Sequence, residues 1–266
     1  TAAIAAARPR PDGAADLLEQ ARHKLGWTHV MRGDQAAAAR VFEDQLAAAA
    51  DGPLAADAQA LLGEALLALD RPADASRALA AALADPQRIS STELRGAAFV
   101  RAAECAAARK EWAESLAIAD RFRTLEPESP QARQGRYAAA WALQNLGRLD
   151  DAIAVYRELA EGRSELAARA RLMEGEALFE KGDHKEAIKS FFKVAYGFGE
   201  QAAPAAFHPW QAQATYEAAR CFEVLGKPDQ ARKLYAELVD RFGEPARADD
   251  KASEAAMEDR KKAGYF

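Results

Sequence analysis

Six segments of this chain share one pattern: RGDQAAAARVF, LDRPADASRAL, RKEWAESLAIA, LGRLDDAIAVY, KGDHKEAIKSF and LGKPDQARKLY. Each is a break followed by an amphipathic helical stretch. With Gly33, Asp70, Lys110, Gly147, Gly182 and Gly226 as anchors, the spacings are 37, 40, 37, 35 and 44 residues. Five residues after the anchors stand Ala38, Ala75, Ser115, Ala152, Ala187 and Ala231. Seven residues before them stand Gly26, Gly63, Ala103, Ala140, Gly175 and Ala219. Both columns are small throughout. Nine residues after the anchors stand Phe42, Leu79, Ala119, Tyr156, Phe191 and Tyr235, mostly bulky. Alanine is about a quarter of the chain, so one small column is cheap. Two small columns and a bulky one, in phase with the breaks, call for one structure repeated.

That structure is a helical hairpin. Small residues before and after each break let two helices cross closely, and the bulky residue is expected to fill the gap to the next hairpin. Glycine at four of the six anchors ends the first helix in the left-handed region. Pro72 and Pro228 fall near the start of second helices, where a missing N–H costs little. One hairpin cannot bury its apolar face alone, so the hairpins must stack. Alanine is the best helix former. Threonine and valine are sparse and no stretch alternates apolar with polar, which argues against sheet. The predicted class is all-α, a solenoid of about six hairpins.

These columns resemble the tetratricopeptide repeat family, whose repeats run to about 34 residues. The likeness extends from about Asp16 to Gly243 and is clearest in AWALQNLGRLDDAIAVYREL. Turns reading Asp-Arg-Pro and Lys-Glu-Trp in the second and third repeats lack the glycine. The resemblance implies a right-handed superhelix, with the first helix of each hairpin lining a concave, protein-binding groove. The ending DRFGEPARADDKASEAAMEDRKK is similar to a bacterial subgroup of Tol-Pal accessory and outer-membrane assembly lipoproteins, although Phe242-Gly243 replaces its aromatic-proline pair. The organisation expected is a tail or short helix over residues 1–12, the array over 13–245 and a charged capping helix and tail over 246–266. A start at Thr1 is expected of a mature protein or of a fragment of a longer chain.

Composition narrows the function. Half the residues are hydrophobic and 29% are charged, as in a folded soluble protein. The net charge is −5 with signs interspersed and no basic stripe, which speaks against nucleic acid. No apolar run reaches the length of a membrane span. Cys105 and Cys221 have no metal or redox spacing and read as buried small residues. His23, His29, His184 and His208 form no zinc motif, and neither a phosphate loop nor a nucleophile elbow is present. Asp150 and Asp151 sit where they favour a helix N-terminus. No metal, cofactor or catalytic residue is predicted. The usage of alanine, arginine, glycine and proline, with Asn145 the single asparagine, points to a GC-rich bacterial genome.

The candidate site is the face of the first helices. Residues thirteen, ten and six before each anchor share a face at the helical period. They are Gln20, His23 and Trp27; Asp57, Ala60 and Glu64; Ala97, Val100 and Glu104; Gln134, Tyr137 and Trp141; Arg169, Leu172 and Glu176; and Gln213, Tyr216 and Arg220. The polar and aromatic members are the predicted partner-binding residues, with Trp27, Tyr137, Trp141, Tyr216 and an arginine as anchor types. Asp57, Glu64, Glu104 and Glu176 favour a neutral or basic peptide segment over an acidic one. The stretch YGFGEQAAPAAFHPW, residues 196–210, is expected to be an enlarged inter-repeat connection, with Phe207 and Trp210 folding over apolar surface. The predicted function is a non-enzymatic protein-binding scaffold of the bacterial periplasm or envelope, or alternatively of the cytoplasm. The rivals are a self-associating structural module and a helical accessory region of a larger enzyme.

Overall fold

The computed structural model describes residues 14–199 and 203–242. The tail expected over 1–12 and the capping helix expected over 246–266 lie outside the described residues. The helices are α1 (Ala14–Met31), α2 (Gln35–Ala48), α3 (Ala55–Ala68), α4 (Pro72–Ala82), α5 (Thr92–Ala108) and α6 (Trp112–Leu125), then α7 (Ala132–Asn145), α8 (Leu149–Leu159), α9 (Glu165–Lys181), α10 (His184–Ala195), α11 (His208–Val224) and α12 (Pro228–Phe242). No strand occurs among the described residues. The class is all-α, in six helix pairs whose breaks fall on the six anchors.

The helices divide between two compact units. Among the described residues, one comprises 14–109 and 117–135, the other 110–116, 136–199 and 203–242. In the first unit each helix from α1 to α5 packs on the next, and α3 also packs beside α5. In the second, α8 to α12 pack in the same consecutive way, and α9 lies beside α11.

Every anchor has the same backbone. Gly33, Gly147, Gly182 and Gly226 have φ between 68° and 89°, and Asp70 and Lys110 adopt the same left-handed region at 56° and 62°. The turn geometry is thus kept where the glycine is absent. At Gly182 the anchor N–H donates to Phe179 O at 3.0 Å and the following N–H of Asp183 donates to Leu178 O at 2.9 Å. The same pair of bonds closes α1, α3, α7 and α11. It satisfies carbonyls that a helix end otherwise leaves open. Pro72 and Pro228 open α4 and α12, as expected of residues without an N–H.

Packing follows the three columns. All residues five after an anchor are buried, from Ala38 to Ala231, and so are all those seven before. The bulky column does something other than expected: it packs within its own hairpin. A Cβ added to Gly26 would stand 2.6 Å from Phe42 Cε1, one on Gly63 2.5 Å from Leu79 Cγ, and one on Gly175 2.5 Å from Phe191 Cε1. Real Cβ atoms are essentially never this close, so glycine lets the ring or the leucine lie directly on the first helix's backbone. The physical reason is reach. The bulky residue stands on the flank of the second helix that meets its own partner at the crossing. Phe122 serves the next hairpin in its place, lying over Gly135 with Cδ1 2.4 Å from where a Cβ would be.

Cys105 and Cys221 are buried free thiols, each five residues before its anchor. Burial raises both thiols to about 11, which keeps them protonated and inert.

The long connection is built rather than open. Phe198 stacks on Phe207 with centroids 4.9 Å apart, and Gln211 Nε2 donates to Gly197 O at 3.1 Å. A Cβ on Gly197 would meet Lys193 O at 2.0 Å, so only glycine fits there. Trp210 is buried in the core of the second unit.

An L-residue in the left-handed region costs about 1–2 kcal/mol, while glycine loses about 0.4–1 kcal/mol more chain entropy on folding. Lys110→Gly should therefore stabilise the protein by about 0.5–1 kcal/mol in chemical denaturation. A loss of stability would show that the lysine side chain contributes at that turn.

Candidate interaction face

The predicted face divides by column. Among the residues six before each anchor, Trp27 is 49% exposed, while Glu64, Glu104, Trp141, Glu176 and Arg220 are half-buried. Of those thirteen before, Gln20 and Gln134 are exposed and Arg169 and Gln213 half-buried. The column ten before is mostly core. Ala60, Val100, Tyr137 and Leu172 are buried, His23 is half-buried and only Tyr216 is open, at 43%. First helices pack side by side within each unit, and this flank is what they bury.

In the first unit the site residues are mostly engaged with their own helices. Asp57 is buried and accepts from Ser90 N at 2.8 Å and Ser90 Oγ at 2.5 Å, so it satisfies the loop before α5 rather than presenting a surface. Arg101 bridges Glu64 at 3.6 Å and Glu104 at 2.8 Å. His23 packs against Phe42 at 5.8 Å. A shallow cleft of about 560 Å³, lined by residues such as Asp85, Gln87, Asp120 and Arg121, lies away from these side chains.

The second unit gathers the larger set. Tyr137 lies under the Arg169 guanidinium, 4.3 Å from the ring centroid, and against Tyr156 at 5.8 Å. Arg169 covers the ring, and Tyr137 is therefore buried rather than an open anchor. Burial raises its hydroxyl, and the Arg169 charge and hydrogen bond oppose that rise. Arg169 also reaches over Trp210 at 5.9 Å. Trp141 stands edge-on to Trp112 at 5.4 Å. Tyr216 packs on Tyr235 at 5.7 Å.

Three carboxylates share the middle of this face. Glu217 accepts from Gln213 Nε2 at 2.8 Å and pairs with Arg220 at 2.7 Å. Glu180 accepts from Gln144 Nε2 at 2.8 Å. Glu176 has neither a hydrogen bond nor an ion pair among the described residues. Desolvation, followed by the charges of Glu217 and Glu180, pushes its carboxyl up to about 7, against a smaller opposing pull from Arg220. The sequence reading missed Glu180, Glu217 and Gln144. Glu180 and Glu217 each follow a named residue, Glu176 and Gln213, by one helical turn, and extending the stripe by four residues finds both.

Among the described residues, no group of three or more histidine, cysteine, aspartate or glutamate side chains could hold a metal ion, and no helix is long and apolar enough to cross a membrane.

A family model described as a tetratricopeptide repeat matches residues 137–206, and a second of the same description matches 213–244. The chain carries tetratricopeptide repeats over these two segments. Solved structures extend the likeness along the chain. PilW, described as a widely conserved type IV pilus biogenesis factor, aligns with a TM-score of 0.58 at 17% identity, over 86% of this chain and 95% of its own. PilF from Pseudomonas aeruginosa aligns with a TM-score of 0.58 at 16% identity, over 90% and 99%. YrrB, described as a tetratricopeptide-repeat protein with an unusual peptide-binding site, aligns at 0.53 and 16%, over 77% and 94%. At these identities the likeness shows the fold, an all-α solenoid-type repeat. No curated protein sequence matches the chain. Matches to tetratricopeptide-repeat models thus fall on the segment that holds the carboxylate-bearing face.

In the unfolded chain Glu176 ionises near 4.5, whereas in the fold it holds its proton to about 7. Stability is full below the lower value, falls as pH rises between the two, and stays reduced above the higher. Glu176→Gln should therefore gain roughly 1 kcal/mol or more on the parent between pH 4.5 and pH 8. Urea denaturation at both pH values checks this. An equal difference at both would mean that the carboxyl ionises freely in the fold.

Proposed function

We propose that the protein is a non-enzymatic scaffold that binds a peptide segment of a partner protein on the first-helix face of its second unit. Tetratricopeptide repeats generally mediate protein–protein interaction, and residues 137–244 carry them. The observation that carries the reading is the clustering on α7, α9 and α11 of half-buried or exposed anchor types, Trp141, Arg169, Tyr216 and Arg220. Tryptophan, tyrosine and arginine dominate binding hot spots, and half-buried positions on rigid helices lose little entropy on docking. The carboxylates among them favour a neutral or basic segment over an acidic one. The remaining predicted residues, Gln20, His23, Trp27, Glu64, Glu104 and Gln134, belong to the first unit and would form a separate face there. A bacterial envelope setting is supported by the type IV pilus biogenesis role in the description of PilW.

Selection of peptides from a displayed library on the full chain, followed by affinity measurement on variants, tests this. Trp141→Ala should weaken the selected peptides by about 2 kcal/mol or more while leaving helix content intact. Glu186→Ala, on the second helix of its hairpin, should leave affinity unchanged. Equal affinity of Trp141→Ala and the parent would remove this face from the function.

A further inference from the structure

The middle of the face in the second unit holds buried polar atoms without a partner. Gln144 is buried, and its Nε2 donates to Glu180 Oε1 at 2.8 Å. That bond fixes the amide orientation, because the flipped amide would set its oxygen against a carboxylate. Gln144 Oε1 is then left buried with no partner. The fully buried Tyr156 hydroxyl is likewise without a partner, and it lies in the fields of Glu176 and Glu180. Glu176 accepts no hydrogen bond among the described residues. Native structures seldom leave buried atoms such as Gln144 Oε1 and the Tyr156 hydroxyl unmet without a reason, and a ligand atom is one.

The nearby donors are already engaged. Arg220 pairs with Glu217 at 2.7 Å and lies over Phe179 at 5.1 Å. Arg169 is held against Tyr137 at 4.3 Å. Gln213 donates to Glu217. Three carboxylates therefore face two committed guanidiniums. An N–H donor from outside the chain would meet the open acceptors.

We propose that the acceptor cluster of Glu176, Glu180 and Gln144 binds the ammonium or guanidinium group of a basic side chain on the partner peptide. This rests on the reading of the face as peptide-binding. A lysine or arginine head supplies several N–H donors from one centre, which suits separate acceptors on α7 and α9. Charge-assisted hydrogen bonds to carboxylate are about twice as strong as neutral ones. The groups that share a field with Glu176 are Tyr137 on α7, Tyr156 on α8, Glu180 on α9, and Glu217 and Arg220 on α11, while Arg169 on α9 acts on both tyrosines. The cation binds the ionised form. Because the Glu176 carboxyl sits at about 7, affinity should rise roughly tenfold from pH 6 to pH 8, in step with the ionised fraction.

The test uses the full chain and three capped pentapeptides: Ala-Ala-Lys-Ala-Ala, its norleucine counterpart and its glutamate counterpart. Binding is read by nuclear magnetic resonance on the backbone amides of α7, α9 and α11. The lysine peptide should shift them, bind at least five times tighter than the norleucine peptide at pH 8, and weaken roughly tenfold at pH 6. Glu176→Gln should remove both the preference and the pH dependence, and Glu180→Gln, at an exposed position, should reduce the preference. If lysine and norleucine peptides bind this face equally, the basic-residue site is wrong while the peptide-binding face stands. If none of the peptides shifts these amides, both readings fall. Free spermidine matching the lysine peptide, with no added shift from the peptide backbone, would make the ligand a small polyamine and overturn the peptide assignment.

Discussion

The contact between a bulky side chain on the second helix and a glycine on the first, within one hairpin, is what the other features depend on. Phe42 on Gly26, Leu79 on Gly63 and Phe191 on Gly175 each bring a side chain to the neighbouring backbone. Such an approach fixes both the depth and the register of the crossing. With the register fixed, the residue five after each anchor is enclosed, which explains why that column tolerates only alanine and serine. The left-handed turn follows from the same constraint. Only a tight reversal at the anchor returns the chain with the bulky residue over the small one, and Asp70 and Lys110 adopt it despite the strain of a positive φ.

The face on α7, α9 and α11 is a consequence of that register. Side-by-side packing of the first helices buries the column ten before each anchor and turns the columns thirteen and six before outward. Charges then fall on a partly desolvated strip. This is why Glu176, which would be an ordinary solvated carboxylate on an isolated helix, holds its proton to about 7. The cost of that carboxyl lies in stability above the pH at which it would ionise in the unfolded chain. Active and binding sites commonly place such groups where folding alone would not.

Much of this was legible in the sequence. The anchors, the two small columns and the helix pairs are local patterns, and a period of 35 to 44 residues is read directly. The proline starts at Pro72 and Pro228 and the burial of Trp210 followed from local chemistry. What could not be read were the choices made between helices. Spacing alone does not say which neighbour a ring meets, so from the sequence the bulky column reads equally as a filler toward the next hairpin. Asp57 shares the helical phase of open positions, yet a loop serine occupies it, and Tyr137 falls in the column that is mostly core, with an arginine over its ring. Glu180 and Glu217 lay one turn beyond the stripe, and their importance arises only when α9 and α11 come together.

The dependence of the array on the glycine–aromatic contact is tested most directly by a double-mutant cycle on Gly175 and Phe191, read as unfolding free energy. Gly175→Ala should destabilise the parent, because the new methyl must displace a fully buried ring. In a Phe191→Ala background the same change should be neutral or stabilising, as alanine is the better helix former. The coupling between the two sites is then about 1 kcal/mol or more. An equal effect of Gly175→Ala in both backgrounds would show that the close approach of ring to backbone does not hold the hairpin.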